Sequence, residues 1–424
     1  MKTTTRWLLI AGIAAALAAC GGGLLGNQGR IRLVNATTGL GALDLLVDDE
    51  AAITGVAPTA GSDYVLRKAN TYPLVIRQTS SAASLLTTST TLVADKHQTV
   101  VAYNSGGTTA ATILDDEEAD PGRNKAKFRV FNTATATADQ VDVYLVTTAC
   151  NTLDTSAAAP TAADVSGLQS AYTELASSAT AYRLCVTSAG DKSDVRLEIP
   201  SFVLTEKRIV TVILARGAGG ALLNAIILDQ QGTATQALNA SARARVATNA
   251  TSDVTVNVNG TPVVVGLSPP NVGPYVLVPT GAVTVQVNGI DVTPVAPLTA
   301  TPGADLTVLL TGSGPTMTLL ADDNTPSPSS VRPVKLRLIN GLNGTTAKAT
   351  LAIDNAPVGS GADPNTTSPY SQVLSSAGLA RVEARVGTQV VYSSLTTTLQ
   401  SGRVYSLFLF GDLAKPTGIL FPDR

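Results

Sequence analysis

The feature that most constrains the fold is a segment that occurs four times along the chain. Its copies read RIRLVNA from Arg30, KFRVFNT from Lys127, RARVATNA from Arg243 and KLRLING from Lys335. Each copy has a basic residue, Arg two positions further on, then an aliphatic residue and an Asn, and the third copy has one extra residue before its Asn. Alternating apolar and polar residues predict a strand with one buried face, and the repetition predicts an array of similar units.

Further segments follow each opening strand in the same order. A second strand comes next, and in three copies it ends in Asp-Asp, Asn-Gly or Asp-Asn, pairs that favour tight turns. A tyrosine then precedes another strand, and these tyrosines are Tyr64, Tyr172, Tyr275 and Tyr370. A strongly apolar strand and a closing aspartate complete each copy, the aspartates being Asp115, Asp229, Asp322 and Asp423.

Four units of about 100 residues with many short alternating strands predict an all-β fold of tandem immunoglobulin-like β-sandwich domains. We name them repeats 1 to 4, with predicted bounds of 30–116, 127–229, 243–323 and 335–424 and an insertion in repeat 2. A unit of this size can bury its own core, so the sequence predicts a string of separate beads joined by polar linkers. Charged residues make up only 14% of the chain, which leaves Ser, Thr, Asn and Gly to cover the surface.

The N-terminus carries the pattern of an export signal. Lys2 and Arg6 precede an apolar run, WLLIAGIAAAL, which is too short to span a bilayer and is followed by AAC ending at Cys20. This pattern resembles the lipobox of bacterial lipoproteins, which implies cleavage before Cys20 and acylation of that cysteine. Residues 1–19 are then a signal peptide and residues 20–29 a lipidated tether. The alternative is an ordinary secretory signal in which Cys20 stands by chance.

The lipobox implies a location and one partner. A lipidated cysteine anchors the chain to a membrane of the bacterial cell envelope. In enteric bacteria an Asp directly after that cysteine favours the inner membrane, so Gly21 favours the outer membrane by the same resemblance. An envelope protein or polysaccharide is the other partner we expect. The formal net charge of −2 argues against nucleic acid, whose binding proteins are basic.

The order of the segments in each copy resembles the DUF4397 family of bacterial envelope proteins. The resemblance covers all four copies, from the basic opening strand through the tyrosine to the closing aspartate. It implies a fold and an envelope location but no activity. The chain departs from many members in one respect, because Asn stands in the opening strand where they carry His.

Two cysteines remain after Cys20, and both lie in repeat 2. Cys150 and Cys185 bracket the insertion NTLDTSAAAPTAADVSGLQS. An oxidising envelope compartment permits a disulfide, so the sequence predicts a structural bond that closes this loop. A redox pair is the alternative, but such pairs usually lie close together as C-x-x-C.

Catalytic groups are scarce in this sequence. His97 is the one histidine, and it follows Asp95 and Lys96 just before the apolar strand of repeat 1. It could act as a general base, but the equivalent turns of the other repeats hold unrelated polar residues. A G-x-S-x-G motif does not occur in the chain. The sequence therefore predicts a solvated turn at His97, no enzyme and no cofactor.

Acidic residues cluster at two of the predicted boundaries. Carboxylates at a domain junction can bind Ca²⁺, which prefers six to eight oxygen ligands. The weak candidates are Asp115, Asp116, Glu118, Asp322 and Asp323. The second boundary offers only one such residue, so a solvated acidic linker is the alternative that the sequence favours.

The tyrosines and arginines that recur in phase also allow two interpretations. The tyrosines either cap the core of each sandwich or present stacking platforms for carbohydrate. The arginines are expected to form an exposed stripe with the basic residue two positions before, because alternate positions of a strand share a face. These arginines are Arg32, Arg129, Arg245 and Arg337.

Together these features predict a non-catalytic cell-envelope lipoprotein. Its repeats would form a rod for adhesion, scaffolding or contact with other envelope components. The alternative is a surface module that binds a glycan or another polymer, with the insertion of repeat 2 as its site.

Overall fold

The computed structural model describes residues 27–424 except 106, 135–139, 154, 168, 218–219, 313–315, 328–330 and 375–378. The signal, Cys20 and most of the tether lie outside the described residues. The described residues form β-strands and one short 3₁₀ turn, Cys150–Thr152. Among them, no helix is long and apolar enough to cross a membrane. The prediction of an all-β fold built from sandwiches is confirmed.

Strands follow one another closely in repeats 1 and 2. Those of repeat 1 are β1 (Gln28–Ala36), β2 (Leu43–Val47), β3 (Glu50–Val56), β4 (Ala60–Gly61), β5 (Val65–Lys68), β6 (Asn70–Gln78), β7 (Ser84–Leu92), β8 (His97–Ser105) and β9 (Thr108–Asp115). Those of repeat 2 and the segment after it are β10 (Lys125–Asn132), β11 (Val141–Val146), β12 (Ala162–Val165), β13 (Thr173–Ala176), β14 (Ser178–Ser188), β15 (Asp191–Leu204), β16 (Ile209–Arg216), β17 (Leu223–Asp229) and β18 (Ala234–Ala237).

Repeats 3 and 4 follow the same order with more short strands. Those of repeat 3 are β19 (Ser241–Ala250), β20 (Val254–Val258), β21 (Thr261–Leu267), β22 (Asn271–Val272), β23 (Val276–Pro279), β24 (Gly281–Ala282), β25 (Val285–Val287), β26 (Ile290–Val292), β27 (Thr299–Ala300), β28 (Asp305–Gly312) and β29 (Thr316–Asp322). Those of repeat 4 are β30 (Val334–Asn340), β31 (Ala349–Ile353), β32 (Ala356–Ala362), β33 (Thr366–Thr367), β34 (Ser371–Val373), β35 (Ala380–Val386), β36 (Gln389–Thr397), β37 (Val404–Gly411) and β38 (Pro416–Pro422).

Every repeat contains a five-stranded mixed sheet and a four-stranded antiparallel sheet. In the mixed sheet the opening strand runs parallel to the late apolar strand. The four parallel pairs are β1 with β8, β10 with β16, β19 with β28 and β30 with β37. The second strand of each repeat lies in the antiparallel sheet. This arrangement separates the opening strand from the second strand, so they form opposite layers of one sandwich.

Tight turns follow the second strand in repeats 1, 3 and 4, as their sequences predict. The turn residues have positive φ, at Asp48 (57°) and Asp49 (61°), Asn259 (49°) and Gly260 (77°), and Asp354 (48°) and Asn355 (68°). Two successive residues with positive φ are the requirement of a type I′ hairpin turn, which matches the twist of the flanking strands. Repeat 2 has the insertion at this point instead of a two-residue turn.

Each sandwich has a core of its own between its two sheets. The four clusters are centred on Leu33 and Leu45 in repeat 1, Phe128 and Leu184 in repeat 2, Val246 and Val256 in repeat 3, and Leu338 and Val382 in repeat 4. The side chains are apolar and almost fully inaccessible to solvent.

Two further apolar clusters join the repeats in pairs. Between repeats 1 and 2, Val34 and Val101 pack with Phe131 and Ile213. Between repeats 3 and 4, the equivalent cluster contains Ala247, Leu309, Ile339, Phe408 and Phe410. The mixed sheets of paired repeats therefore lie against each other, and the molecule differs from the predicted string of independent beads.

This pairing buries the central strands of the mixed sheets on both faces. Every residue of Val334–Asn340 in β30 is buried, although the strand alternates in sequence. One face carries core residues of the sandwich, and the other carries residues that meet the neighbouring repeat. Strands covered on both sides have no solvent-facing row.

Residues 230–239, which follow the predicted end of repeat 2, also differ from the polar linker expected between repeats. Its residues Ala234–Ala237 form β18, which pairs with β17 and extends the mixed sheet of repeat 2. Ala234 also contacts repeat 1. The Cβ of Ala234 would lie only 2.5 Å from a Cβ added to Gly61. The segment after repeat 2 is therefore packed across the junction between repeats 1 and 2.

Candidate functional site

The four arginines of the opening strands lie inside the molecule. Arg32 and Arg245 are 0% exposed, Arg337 is 1% exposed and Arg129 is 8% exposed. The prediction of an exposed stripe is wrong. Alternate positions of the strand do share a face, as expected, but that face is covered by the neighbouring repeat.

Each arginine has the same two neighbours within its own repeat. Its Nε donates to a hydroxyl on the parallel strand, in the pairs Arg32–Thr99 at 2.7 Å, Arg129–Thr211 at 2.8 Å, Arg245–Thr307 at 2.9 Å and Arg337–Ser406 at 2.9 Å. Its guanidinium carbon lies over a tyrosine ring, in the pairs Arg32–Tyr64 at 4.3 Å, Arg129–Tyr172 at 4.3 Å, Arg245–Tyr275 at 4.5 Å and Arg337–Tyr370 at 4.6 Å. We call this set the arginine motif. The face of each tyrosine ring is covered by a guanidinium group in a cation–π contact. The tyrosines are therefore not the solvent-exposed platforms that one interpretation predicted.

A closing carboxylate completes the motif in three repeats. Asp322 accepts hydrogen bonds from Thr307 at 2.6 Å and Tyr275 at 2.7 Å. Asp423 accepts one from Ser406 at 2.6 Å. In repeat 1 this position is held by Asp116 rather than the predicted Asp115, and Asp116 accepts hydrogen bonds from Tyr64 and Thr99.

Repeat 2 lacks this carboxylate. Thr211 pairs with Leu228, as Thr99 pairs with Leu114, so the residue equivalent to Asp116 is Gln230 and not the predicted Asp229. The Gln230 side chain holds the backbone of Glu118, accepting from its nitrogen at 2.9 Å and donating to its oxygen at 2.8 Å.

Ion pairs cross the junction between repeats 3 and 4 in both directions. Arg245 Nη1 lies 2.5 Å from Asp423 Oδ1, and Arg337 pairs through Nη2 with Asp322 Oδ1. All four side chains are almost fully buried. Buried charge-assisted hydrogen bonds are strong only when both charged partners are present. These ion pairs therefore fix the position of repeat 4 relative to repeat 3.

The junction between repeats 1 and 2 does not have the same ion pairs. Arg32 crosses it to the backbone oxygens of Gly232 at 2.7 Å and Asp229 at 3.1 Å. Asp116 turns towards Arg32 of its own repeat, at 3.4 Å. Arg129 Nη2 is buried without a hydrogen-bond partner. The replacement of the closing carboxylate by Gln230 thus leaves a buried cation only partly satisfied.

Burial and ion pairing act in opposite directions on the carboxyl groups at the junctions. Burial alone would raise the pKa of Asp322, but Arg337 and Arg245 hold it below its ordinary value of 3.8. Arg196 and Arg243 likewise lower the pKa of Asp194 against the effect of burial. Lowered values indicate that these groups stabilise the folded chain when they are ionised.

Asp322→Asn should therefore destabilise repeats 3 and 4 in a pH-dependent way. The folded-state pKa of Asp322 lies below the unfolded value of about 3.8, so the stabilisation is complete above that pH and is lost as the pH falls through the folded value. At pH 7 we expect a loss of about 1.5–3 kcal/mol in unfolding free energy, as for hydrogen bonds to a charged group. Denaturant titrations from pH 7 to pH 2 measure the difference between the variant and the parent chain. Exposed Asp291→Asn is the control, and a pH-independent difference for Asp322→Asn would contradict this origin.

The acidic calcium candidates are dispersed rather than brought together. Asp116 and Asp322 are buried beside arginines, so the solvated linker that was predicted for them is wrong. The remaining three contact donors of the chain: Asp115 accepts from Gln98, Glu118 from Lys127 and Asp323 from Lys335. Within the part of the chain that the structure describes, no three His, Cys, Asp or Glu side chains are grouped so that they could hold a metal ion.

His97 is the first residue of β8 and lies at the junction of repeats 1 and 2. Its Nδ1 is 3.0 Å from Glu117 Oε1, and only 14% of its side chain is exposed. Its ring meets that of Tyr64 edge-on at 5.1 Å. The predicted solvated turn is wrong at this residue, because the segment 116–118 folds back over the strand.

The predicted disulfide is confirmed. Cys150 and Cys185 are bonded across a sequence separation of 35 residues. Both cysteines are fully buried and pack with Tyr144, Leu153 and Val195 in a small apolar cluster beside the insertion. The bond therefore attaches the start of the insertion to the antiparallel sheet of repeat 2.

A cleft lined by both polar and apolar side chains lies between repeats 2 and 3, next to this bond. Its volume is about 590 Å³. Repeat 2 contributes Asn151 of the insertion and residues of β15, including Lys192 and Asp194. Repeat 3 contributes residues of β19, β21 and β23, among them Thr261 and Leu277. The sequence pointed to the insertion as a site, but nothing in it showed that repeat 3 forms the opposite wall.

Charged residues fix the two walls of the cleft. Asp194 binds Arg196 of its own strand at 2.9 Å and Arg243 of repeat 3 at 3.1 Å. Arg243 also forms a bidentate pair with Asp305, at 2.8 and 2.7 Å. A further close approach occurs where a Cβ on Gly220 would meet the backbone oxygen of Gly303 at 2.6 Å.

The fold and its buried arginine motifs define a protein made of tandem β-sandwich repeats that pack in pairs. The chain belongs to the family of the domain of unknown function DUF4397, whose model matches residues 29–144 and 240–342. Each matched region begins at the opening strand of an odd-numbered repeat and ends within the next repeat. No curated protein matches the chain.

Three solved structures resemble parts of the fold at low identity. A streptococcal virulence factor described by its alpha-glucan binding is 12% identical, with a TM-score of 0.17, 44% of this chain covered and 93% of that one. The TIE protein of Bacillus anthracis is 9% identical, with a TM-score of 0.14 and coverages of 93% and 69%. BcpA, the major pilin subunit of Bacillus cereus, is 11% identical, with a TM-score of 0.11 and coverages of 93% and 95%. These TM-scores are far below those of chains that share a global fold.

Proposed function

We propose that this chain is a non-catalytic, lipid-anchored protein of the bacterial cell envelope that serves as a stiff scaffold or adhesive spacer. The observation that carries the proposal is the repeated arginine motif at the repeat junctions. Three of its four arginines bond across a junction to the neighbouring repeat or to the segment after it, and the two ion pairs between repeats 3 and 4 are almost fully buried. We infer a mechanical role from this use of buried charge. The lipobox at Cys20 supplies the attachment point.

Stiff pairing suits a protein that must hold a position above a membrane. Repeats 3 and 4 are joined by two buried ion pairs and an apolar cluster, and repeats 2 and 3 by the Asp194–Arg243 contact. Hinge motion at these junctions would expose buried charges, which is costly. We infer that force or contact at the outer end is transmitted to the anchor instead of being absorbed by flexible linkers.

Cys20→Ser tests the anchor. We expect the protein to move almost completely from the membrane fraction to the soluble envelope fraction, because the acyl chains supply the membrane affinity at ~0.8 kcal/mol per buried CH₂. Immunoblots of fractionated cells measure the distribution, and globomycin should accumulate the uncleaved precursor. Asp291→Asn, which lies at an exposed position and leaves Cys20 and the disulfide in place, is the control. Membrane association that persists in Cys20→Ser would contradict the anchor.

A second function is favoured by one observation, the cleft between repeats 2 and 3. The chain would then act as a surface module that binds a glycan or another polymer. The two functions are compatible, since a stiff anchored support is what a binding site at the cell surface requires.

A further inference from the structure

We propose that the cleft between repeats 2 and 3 binds a neutral oligosaccharide. This assignment rests on the surface-module function proposed above and names its site and ligand class. The cleft volume of about 590 Å³ lies within the range of ~300–1,000 Å³ that is usual for small-ligand sites. Such sites occur preferentially at the interface of two domains, as this cleft does.

The formal charges of the lining side chains sum to zero, and three of the four side chains belong to ion pairs. The lining includes two cations, Lys192 and Arg243, and two anions, Asp194 and Glu198. Asp194 is paired with Arg243, and Glu198 with Arg183. A charged ligand would have to compete with these ion pairs, whereas a neutral ligand leaves them intact. The electrostatics therefore favour a ligand without net charge.

Uncharged polar groups provide the hydrogen-bonding surface. Asn151 stands exposed on the repeat 2 side, while Ser241 and Thr261 carry hydroxyls on the repeat 3 side. Lys192 Nζ donates to Ser156 O at 2.9 Å, which uses one of the three donors of an ammonium group. Sugar hydroxyls both donate and accept hydrogen bonds, so they match this mixture of amide, hydroxyl and ammonium groups.

Apolar side chains lie between these polar groups. Pro262 of β21 and Val276 and Leu277 of β23 line the repeat 3 wall. Leu277 packs against the cluster that contains Cys150 and Cys185, so this wall contacts the disulfide-bonded part of repeat 2. An oligosaccharide presents C–H faces between its hydroxyls, and this alternation of apolar and polar surface is complementary to it. The Asp194–Arg243 ion pair joins the two walls without a ligand, and a preformed site reduces the ordering cost of binding.

Calorimetric titration of the full mature chain carrying Cys20→Ser tests the site. The probes are neutral hexose oligosaccharides of three to six residues with different linkages, and oligouronides of the same lengths form the charged arm. We expect at least one neutral oligosaccharide to bind and the oligouronides to bind at least tenfold more weakly. Thr261→Trp, which places a large ring in the cleft, should weaken binding at least tenfold. Thr350→Trp, at an exposed hydroxyl of β31, should leave it unchanged.

Asn151→Ala is the second variant, because its exposed side chain can be removed without disturbing the fold. We expect a loss of at least threefold in affinity. Absence of binding to every neutral probe, tighter binding of the oligouronides, or unchanged affinity in both cleft variants would overturn the assignment. These outcomes are separate from the fractionation of Cys20→Ser. A chain that is anchored but binds no neutral oligosaccharide loses only the present proposal, and a chain that binds one but is not anchored loses only the scaffold role.

Discussion

Arg337→Met is expected to destabilise repeats 3 and 4 by about 3–5 kcal/mol, the range for removal of one partner from a buried ion pair. The variant leaves Asp322 buried without its closest cation, since Arg245 Nε lies 4.0 Å away and is directed to Thr307. Methionine replaces the aliphatic part of the side chain, so the loss reports the charge rather than a cavity. Hydrogen exchange measured by mass spectrometry resolves the effect by repeat. Peptides of repeats 3 and 4 should lose protection, and those of repeat 1 should not.

Arg129→Met is the matched control, because Arg129 occupies the same position of the arginine motif in repeat 2. Arg129 Nη2 has no hydrogen-bond partner. Removing the Arg129 guanidinium leaves no buried carboxylate unpaired, because Asp116 is paired with Arg32. The hydrogen bond to Thr211 and the contact with Tyr172 are lost, so we expect a change within about 1 kcal/mol, as for one ordinary hydrogen bond. Equal losses in the two variants would show that stacking on tyrosine, and not the crossing ion pair, gives the motif its stability.

The sequence was sufficient to predict the strand order and the all-β fold, because these are set by local patterns. Asp48-Asp49, Asn259-Gly260 and Asp354-Asn355 occupy the positive-φ turns that their residue types favour. The disulfide followed from the number of cysteines and the compartment. Predictions of this kind depend on residues that are close in sequence, so the packing of one repeat on another changes them little.

What the sequence could not show is which faces are covered by another repeat. The alternation of the strand predicts the face on which Arg32 and its three equivalents lie, but charged residues seldom lie inside a protein, so the pattern wrongly indicates that this face is solvated. A signal for the error was present in β37, whose segment VYSLFLF is apolar at nearly every position. Strands of that composition are covered on both sides, so some neighbour had to lie on the arginine face.

The cleft depended on the same missing information. Asn151 belongs to the insertion that the sequence singled out, whereas Thr261 and Leu277 belong to a different repeat more than 100 residues away. The Asp194–Arg243 ion pair and the packing of Leu277 against the repeat 2 cluster bring these walls together. Asp194 belongs to no repeated pattern, and the pattern that contains Arg243 does not mark a contact between repeats, so this pairing could not be inferred from one sequence.

Cys150→Ser combined with Cys185→Ser should destabilise repeat 2 by about 3–4 kcal/mol in the chain-entropy account of a loop of this length. The bond closes a loop over a sequence separation of 35 residues, and both sulfurs are buried in the cluster that supports Leu277. The loss should therefore extend to the repeat 3 wall of the cleft through Leu277. Hydrogen exchange of peptides around β11, β14 and β23 measures both effects.

Ser188→Ala, at the end of β14 and away from the cluster, is the control and should change protection little. The double variant Cys150→Ser with Cys185→Ser also separates two origins of stability at the cleft. If only repeat 2 loses protection, the ion pair between Asp194 and Arg243 is enough to hold the repeat 3 wall in place. If β23 loses protection as well, the disulfide supports the wall through the contact of Leu277 with the apolar cluster. Unchanged protection throughout repeat 2 would contradict a structural role for the bond, because a loop of this length gains conformational freedom in the unfolded chain when the bond is removed.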